Sequence, residues 1–338
     1  MTDSEADPPS ASRIAVEPIR RQVFDAPDRQ AVHDAAIRAV QQDPAGFIER
    51  YAALPRSFGG RYVCADLFKE LFEPFAASAD GRNRYNTPVH NPAAVLASAQ
   101  FHRNLDTAPQ PNEMVVLLTG VPGSGKTTSV LGNGMPPDTR MVYEGQLARP
   151  ETTFPKIDAI LAAGYRPLIR VVHVPSDRAL LRTLQRFHDE GRGASIQTMA
   201  SIQGALPDGL ASVRDRYGDR VELSIRDERD TGAMRIIYGW RQLDVLRSEG
   251  TREQIEQRLE TIVDQLAEQR RIPDTAWRHA RGLAPRPVDQ PRNATTDRVG
   301  SEVRRNVSTN DARPRVPGRN PSQDAAVKRD DDKSGPDR

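Results

Sequence analysis

The chain has 338 residues, of which 48 are Lys or Arg and 46 are Asp or Glu, for a formal net charge of +2. So even a balance excludes a dedicated, charge-driven nucleic-acid binder, and the single cysteine, Cys64, excludes an internal disulfide framework or a Cys-only zinc site. No apolar run approaches the ~20 residues needed to span a bilayer, so no membrane role is expected.

The first dozen residues are acidic and Pro/Ser-rich with no apolar signal core, which predicts a disordered start and a cytoplasmic protein. Val32, Ala36, Ile37 and Val40 predict an amphipathic helix over 28–42. Asp43-Pro44 ends it, and a further helical turn lies in 45–54. Ser57–Gly60 reads as a loop, and 61–66 as a short strand ending in Asp66. Leu67, Phe68, Leu71 and Phe72 form the stripe of a helix over 67–77. Asn91 as N-cap and Pro92 at the first position start another, running to about Leu105. Apolar strands at 114–119, 140–144 and 167–174 then alternate with helices at 154–163, 177–190 and 196–206. A last strand is expected at 220–226 and a long helix over 251–271, with Ile255, Leu259, Ile262, Val263 and Leu266 on one face.

Strand–helix alternation of this kind predicts an α/β fold, a doubly wound and mostly parallel sheet with flanking helices. Four segments are expected: an N-terminal disordered and helical extension (1–56), a core (57–230), a C-terminal helical part (231–283) and a tail (284–338). The tail has 12 Lys/Arg, 9 Asp/Glu, 7 Pro and no apolar side chain larger than valine. Burial cannot offset its ordering entropy, so it is expected to be disordered.

Gly120-Val121-Pro122-Gly123-Ser124-Gly125-Lys126-Thr127 fits G-x-x-x-x-G-K-[ST] at every fixed position, and it follows a strand and opens a helix, as that motif requires. Its glycines let backbone N–H groups turn inward around phosphate oxygens. Lys126 is expected to reach the β- and γ-phosphates of ATP, Thr127 to ligate Mg²⁺, and Thr128 to complete the loop. The fold is therefore expected to be that of a P-loop NTPase or kinase. No N-K-x-D guanine-reading motif is present, which argues against a GTPase. The acid-terminated strands, one ending at Asp66 and the other at Glu144, carry single acids, as suits a kinase better than a motor ATPase.

On these residues the sequence resembles the zeta toxin family of P-loop kinases. Beyond the loop itself, Val142-Tyr143-Glu144-Gly145-Gln146 is similar to that family's apolar-strand-E-G-T element, and Ala163-Gly164-Tyr165 to its A/K-G-Y before the next strand. Leu168–Pro175 resembles its strand ending in V-P, and Arg186-Phe187 its R-Y or R-F on a helix. Gly191-Arg192-Gly193 stands where its second phosphate-binding arginine lies. The resemblance covers roughly 114–228 and implies phosphorylation of a sugar hydroxyl of a nucleotide sugar, such as UDP-N-acetylglucosamine, by a toxin with an antitoxin partner. One unit departs from the family's order. Only 16 residues separate Thr127 from Glu144, too few for the strand that carries the family's catalytic Asp. Tyr62–Lys69, before the loop, looks like that strand–D-x-F-K element, with His90-Asn91-Pro92 and the following helix resembling its substrate side. The resemblance therefore implies reordered units, with Asp66 as the catalytic aspartate.

Each residue also has a plainer reading. Asp66 is either the catalytic base or the cap of the helix that follows. Glu144 ends a buried strand where an unpaired acid is costly, which favours substrate or metal binding. Arg186 and Arg192 are together read as a lid that clamps phosphoryl oxygens, and separately as a surface and a loop arginine. His90 is either a substrate contact or an ordinary helix-start residue. Tyr85-Asn86-Thr87 is assigned to the pocket on position alone. His173 reads as core, and Cys64 as buried and inert. A rival of another class remains open: a nucleotide-binding switch that recruits partners through its tail.

Overall fold

The computed structural model describes residues 16–132, 134–135, 137–230 and 234–283. The segments 1–12 and 284–338, read above as disordered, lie outside the described residues.

Six strands form one sheet: β1 (Tyr62–Cys64), β2 (Met114–Thr119), β3 (Thr139–Glu144), β4 (Arg166–His173), β5 (Glu222–Asp227) and β6 (Arg235–Tyr238). Their order is β1-β3-β2-β4-β5-β6. All neighbours are parallel except β6, which runs antiparallel to β5. Before β1 come helices α1 (Pro27–Gln42) and α2 (Pro44–Ala53), and between β1 and β2 lie α3 (Ala65–Lys69), α4 (Glu73–Ala76), α5 (Ala79–Tyr85) and α6 (His90–Leu105). Next are α7 (Lys126–Leu131), α8 (Pro150–Ala162), α9 (Ser176–Glu190) and α10 (Ile196–Tyr217). After β6 come α11 (Asp244–Arg247), α12 (Arg252–Glu268) and α13 (Asp274–Ala280). The fold is α/β, a doubly wound sheet with flanking helices. Among the described residues no helix is long and apolar enough to cross a membrane.

Several boundaries differ from the sequence-based expectations, for identifiable reasons. The strand at 61–66 is only Tyr62–Cys64, and Asp66 stands in the first turn of α3. The expected helix over 67–77 breaks into α3 and α4, because Pro74 has no N–H to donate back to Glu70 O and its ring would clash with that carbonyl; Phe72 is extended and Pro74 falls in the first turn of a new helix. Asn91 is not a cap. The helix begins at His90 with Val89 before it, and the Asn91 amide donates to Arg20 O at 2.8 Å. The helix expected to stop at Leu206 continues through Pro207 to Tyr217, because Leu206, Pro207, Leu210 and Val213 are all buried. That burial outweighs the one backbone bond that proline removes. The strand expected to be last is followed by β6. The α12 helix starts where a capping box closes: Thr251 accepts from Gln254 N, and Gln254 accepts from Thr251 N.

Buried side chains form two groups. One surrounds the sheet and includes Ile157, Leu210, Phe68, Phe101 and Tyr51, so the N-terminal helices share it. The other joins α9, α10, α12 and α13, and takes in Val121 of the glycine-rich loop. The loop is thus anchored to the helical layer as well as to β2.

β1 has three residues and lies at the sheet edge, and its open side is closed by one side chain. The Tyr51 hydroxyl donates to Tyr62 O at 2.5 Å and accepts from Cys64 N at 3.0 Å. Its ring stacks on Phe68 with centroids 3.6 Å apart. Tyr51→Phe leaves both backbone groups buried and unsatisfied, which is expected to cost about 2 kcal/mol in urea denaturation. An unchanged midpoint would show that β1 is held without this hydroxyl.

Candidate active site

The phosphate-type loop leaves β2 through Gly120, Gly123 and Gly125, all at positive φ, where other residues are strained. Space demands the first two as well. A Cβ on Gly120 would meet Val172 O at 2.4 Å, and one on Gly123 would meet Ala179 O at 2.3 Å. Ser124 Oγ is buried and makes no hydrogen bond among the described residues. Lys126 Nζ donates to Gly120 O at 2.9 Å and Val121 O at 3.1 Å, so the ammonium sits over the loop. Thr128 is exposed.

Glu144, at the carboxyl end of β3, reaches this lysine at 3.8 Å. It is held there by Tyr62, a fully buried residue of β1. The Tyr62 hydroxyl donates to Glu144 Oε2 and lies 3.4 Å from Thr127 Oγ1. Burial, and then the Cys64 and Glu144 charges, push the Tyr62 phenol far above its ordinary pKa, so it stays a donor. Lys126, Thr127, Glu144 and Tyr62 therefore form one cluster, built from three adjacent parallel strands.

Asp66 begins a second cluster on the same strand ends. It pairs with Lys69 at 2.9 Å and Arg192 at 3.1 Å. Lys69 is buried and also donates to Asn86 Oδ1 at 2.7 Å. Arg192 is 11% exposed and also meets Glu70 at 3.3 Å, while Glu70 takes Arg82 at 2.8 Å. Desolvation by the surrounding protein would raise the Asp66 pKa, but Lys69 and Arg192, with Arg186 farther off, hold it well below the usual carboxylate range. The Asp66 side chain is 45% exposed, so this end of the strands is an open cleft at the carboxyl edge of the sheet. His90 stands near enough to feel the same charges. It is exposed, and desolvation, then Lys69, lowers its pKa against the opposing pull of Asp66. The cap reading of Asp66 does not hold, because Cys64 precedes α3 and no side chain caps it.

Cys64 lies between the two clusters and is buried, its thiol pushed up to about 12 by burial and then by the Glu144 and Asp66 charges. Arg186 pairs with Glu190 at 3.2 Å and touches neither the loop nor an acid of the cleft. The arginine of α9 nearest the loop is Arg182, 3.8 Å from where a Gly125 Cβ would stand and 3.4 Å from Glu228. Its sequence signal is the i, i+4 recurrence of Arg178, Arg182 and Arg186 along one helix face, which does not by itself say which of the three meets the loop. Arg192 is fixed more firmly. The left-handed Gly191 ends α9, and a Cβ there would fall 1.8 Å from Ala79 O. His173 is buried, with its pKa lowered by burial.

Two measurements check these contacts. Tyr62→Phe leaves Glu144 without its donor and is expected to cost about 1–3 kcal/mol in urea denaturation; combined with Glu144→Gln, the loss is expected to be smaller than the sum. The folded pKa of Asp66 is depressed, so its ion pairs contribute above the unfolded value of ~3.9, and that contribution is lost as pH falls through the folded value. The stability gap between wild type and Asp66→Asn is therefore expected to be present at pH 7 and to shrink below about pH 4, with solvent screening keeping it small. A gap that grows toward acid pH would contradict the ion-pair assignment.

No family model matches the chain, and no curated protein matches it. Among solved structures, a chain from the PezAT chromosomal toxin-antitoxin system of the human pathogen Streptococcus pneumoniae is similar at 14% identity. The likeness covers 51% of this chain and 96% of that one, with a TM-score of 0.32. At that level it carries no weight for the activity, which is argued from the residues of the cleft.

Proposed function

We propose that the protein is an ATP-dependent phosphotransferase, a P-loop kinase that transfers a phosphoryl group to a sugar hydroxyl of a nucleotide sugar. One observation carries this reading. A glycine-cradled lysine and two acids, Glu144 and Asp66, come together at the carboxyl ends of parallel strands in one sheet, the place where α/β sheets bind ligands.

The loop fits a polyphosphate. Its glycines hold the turn at positive φ, the space over Gly125 is open as far as Arg182 at 3.8 Å, and the buried Ser124 hydroxyl has no protein partner among the described residues. Bound ATP with Mg²⁺ would supply the phosphoryl group and neutralise part of its charge. Gly120 to Thr128 would hold the phosphates, with Lys126 at the β- and γ-positions and Thr127 as metal ligand. Glu144, kept beside Thr127 by Tyr62, would orient the metal's shell or the substrate. Asp66, kept ionised by Lys69 and Arg192, would accept the hydrogen bond of the acceptor hydroxyl and take its proton. Its depressed pKa makes it a weak base, which suits a loose transition state in which positioning outweighs proton abstraction. Arg186 and Arg192 would counter charge on the transferring group, and Arg182 stands nearer to the loop than Arg186. The zeta-type resemblance supports UDP-N-acetylglucosamine as acceptor, His90 as one of its contacts, a toxin role and an antitoxin partner.

Incubation with labelled ATP and a panel of nucleotide sugars tests the reading. Lys126→Ala is expected to lower transfer by ~10²-fold or more with the melting temperature unchanged. Asp66→Asn is expected to lower the transfer rate by ~10²-fold while ATP affinity stays the same. Wild-type turnover by Lys126→Ala would remove the loop from the mechanism. ATP binding without transfer to any acceptor would favour the nucleotide-dependent interaction protein instead.

A further inference from the structure

The loop between α5 and α6, residues 86–89, stands beside the Asp66 cluster and is tied down from several directions. Asn86 accepts from Lys69 at 2.7 Å. At its two ends, the Tyr85 hydroxyl donates to Asp28 of α1 at 3.1 Å, and Asn91 donates to Arg20 O at 2.8 Å. Between them, Pro88 O accepts from His33 Nδ1 at 2.7 Å.

His33 connects the loop to a segment with no helix or strand of its own. The ring is fully buried and its two nitrogens do different work. Gln22 N donates to Nε2 at 2.9 Å, so Nδ1 carries the proton that Pro88 O accepts. Gln22 lies in the extended stretch 16–26. Phe24 N donates to Gln30 Oε1 at 3.0 Å. Backbone groups of alternate residues 20, 22 and 24 are therefore each held by one side chain of α1 or α6. Farther back, Glu17 accepts from Ser98 Oγ at 3.2 Å. Three extended residues, 17 to 20, and seven helical ones, 91 to 98, both span about 10 Å, so the stretch lies along α6 as a strap.

The strap is lightly held. Ile19 packs against the main core, and Phe24 meets the His33 ring edge-on with centroids 5.3 Å apart, but Val23 is 93% exposed. With so few apolar contacts, such a segment opens at far lower free energy than the whole domain. Opening would take the donor from the buried His33 Nε2 and release Asn91, so the loop would lose two of its ties together. We propose that residues 17–24 are a detachable strap whose seating fixes the 86–89 loop, and through it the acceptor side of the cleft. The acceptor part rests on the kinase reading, and the coupling of strap to loop does not. Among the described residues the strap's hydrogen-bond partners are on α1 and α6, and none is on the phosphate loop, so nucleotide affinity is independent of it.

Hydrogen exchange on the full chain tests the coupling. Ile19→Asp is expected to speed exchange about tenfold at the Val89 and His90 amides, which donate to Tyr85 O and Thr87 O, and to leave β2 and β4 at wild-type rates. Gln22→Pro, which removes the N–H given to His33, is expected to act in the same direction. Adding Glu17→Cys and Ser98→Cys to Ile19→Asp is expected to restore wild-type exchange when the pair is oxidised and to lose it on reduction; Cys64 is buried and does not compete. In the transfer assay, Ile19→Asp is expected to raise KM for the nucleotide sugar about fivefold with ATP affinity unchanged. Unchanged exchange at Val89 and His90 in both variants, a rise shared equally by β2 and β4, or a parallel loss of ATP affinity would overturn the proposal. If the wild-type chain transfers no phosphoryl group, the kinase reading fails, and the exchange rates still decide whether the strap holds the loop.

Discussion

The hydrogen bond from the buried Tyr62 hydroxyl to Glu144 is the contact on which the cleft depends. It crosses from β1 to β3 and ends beside Thr127 of the loop, so a residue from the N-terminal third of the chain sets the position of an acid at the phosphate site. A carboxylate that is largely withdrawn from water, here 14% exposed, needs such partners to offset its desolvation. The bond exists only if the three-residue β1 keeps its register against β3, with Cys64 opposite Glu144. That register rests in turn on Tyr51, whose hydroxyl closes the open side of β1. Two tyrosines thus carry the geometry from helix α2 to the crevice.

The same register brings Asp66 to the crevice end of the sheet. Because β1 stops at Cys64 and α3 begins at once, the Asp66 carboxylate meets Lys69 one turn along its own helix and Arg192 from the turn after α9. Those cations come from elements 123 residues apart in sequence (69 and 192), and together they outweigh desolvation. Gly191 makes the approach possible, since no side chain fits between that turn and Ala79. Val121 anchors the loop to the helical layer that contains α9, so the loop and the arginines of α9 are held by one group of packed side chains.

Much of this was legible in the chain itself. Lys126 and the three glycines follow from local stereochemistry: a motif that needs positive φ at fixed positions after a strand is readable without its neighbours. The α/β alternation is readable for the same reason, because continuous apolar strands and amphipathic helices have different periods. Glu144 was legible as an acid ending a buried strand. What the sequence by itself could not decide were relations between distant segments. That Asp66 lies one strand beyond Glu144, that Tyr62 holds Glu144 together with Lys126, and that Arg182 rather than Arg186 stands by the loop all depend on strand order and helix rotation. The helix through Pro207 and the short β6 were hidden for a related reason: their stability comes from burial against, or pairing with, segments far away in the chain, and not from propensity. Local chemistry determined the phosphate loop, and tertiary packing alone decided which side chains face it, because only the folded sheet brings residues 51, 62, 66, 144 and 192 to one edge of the crevice.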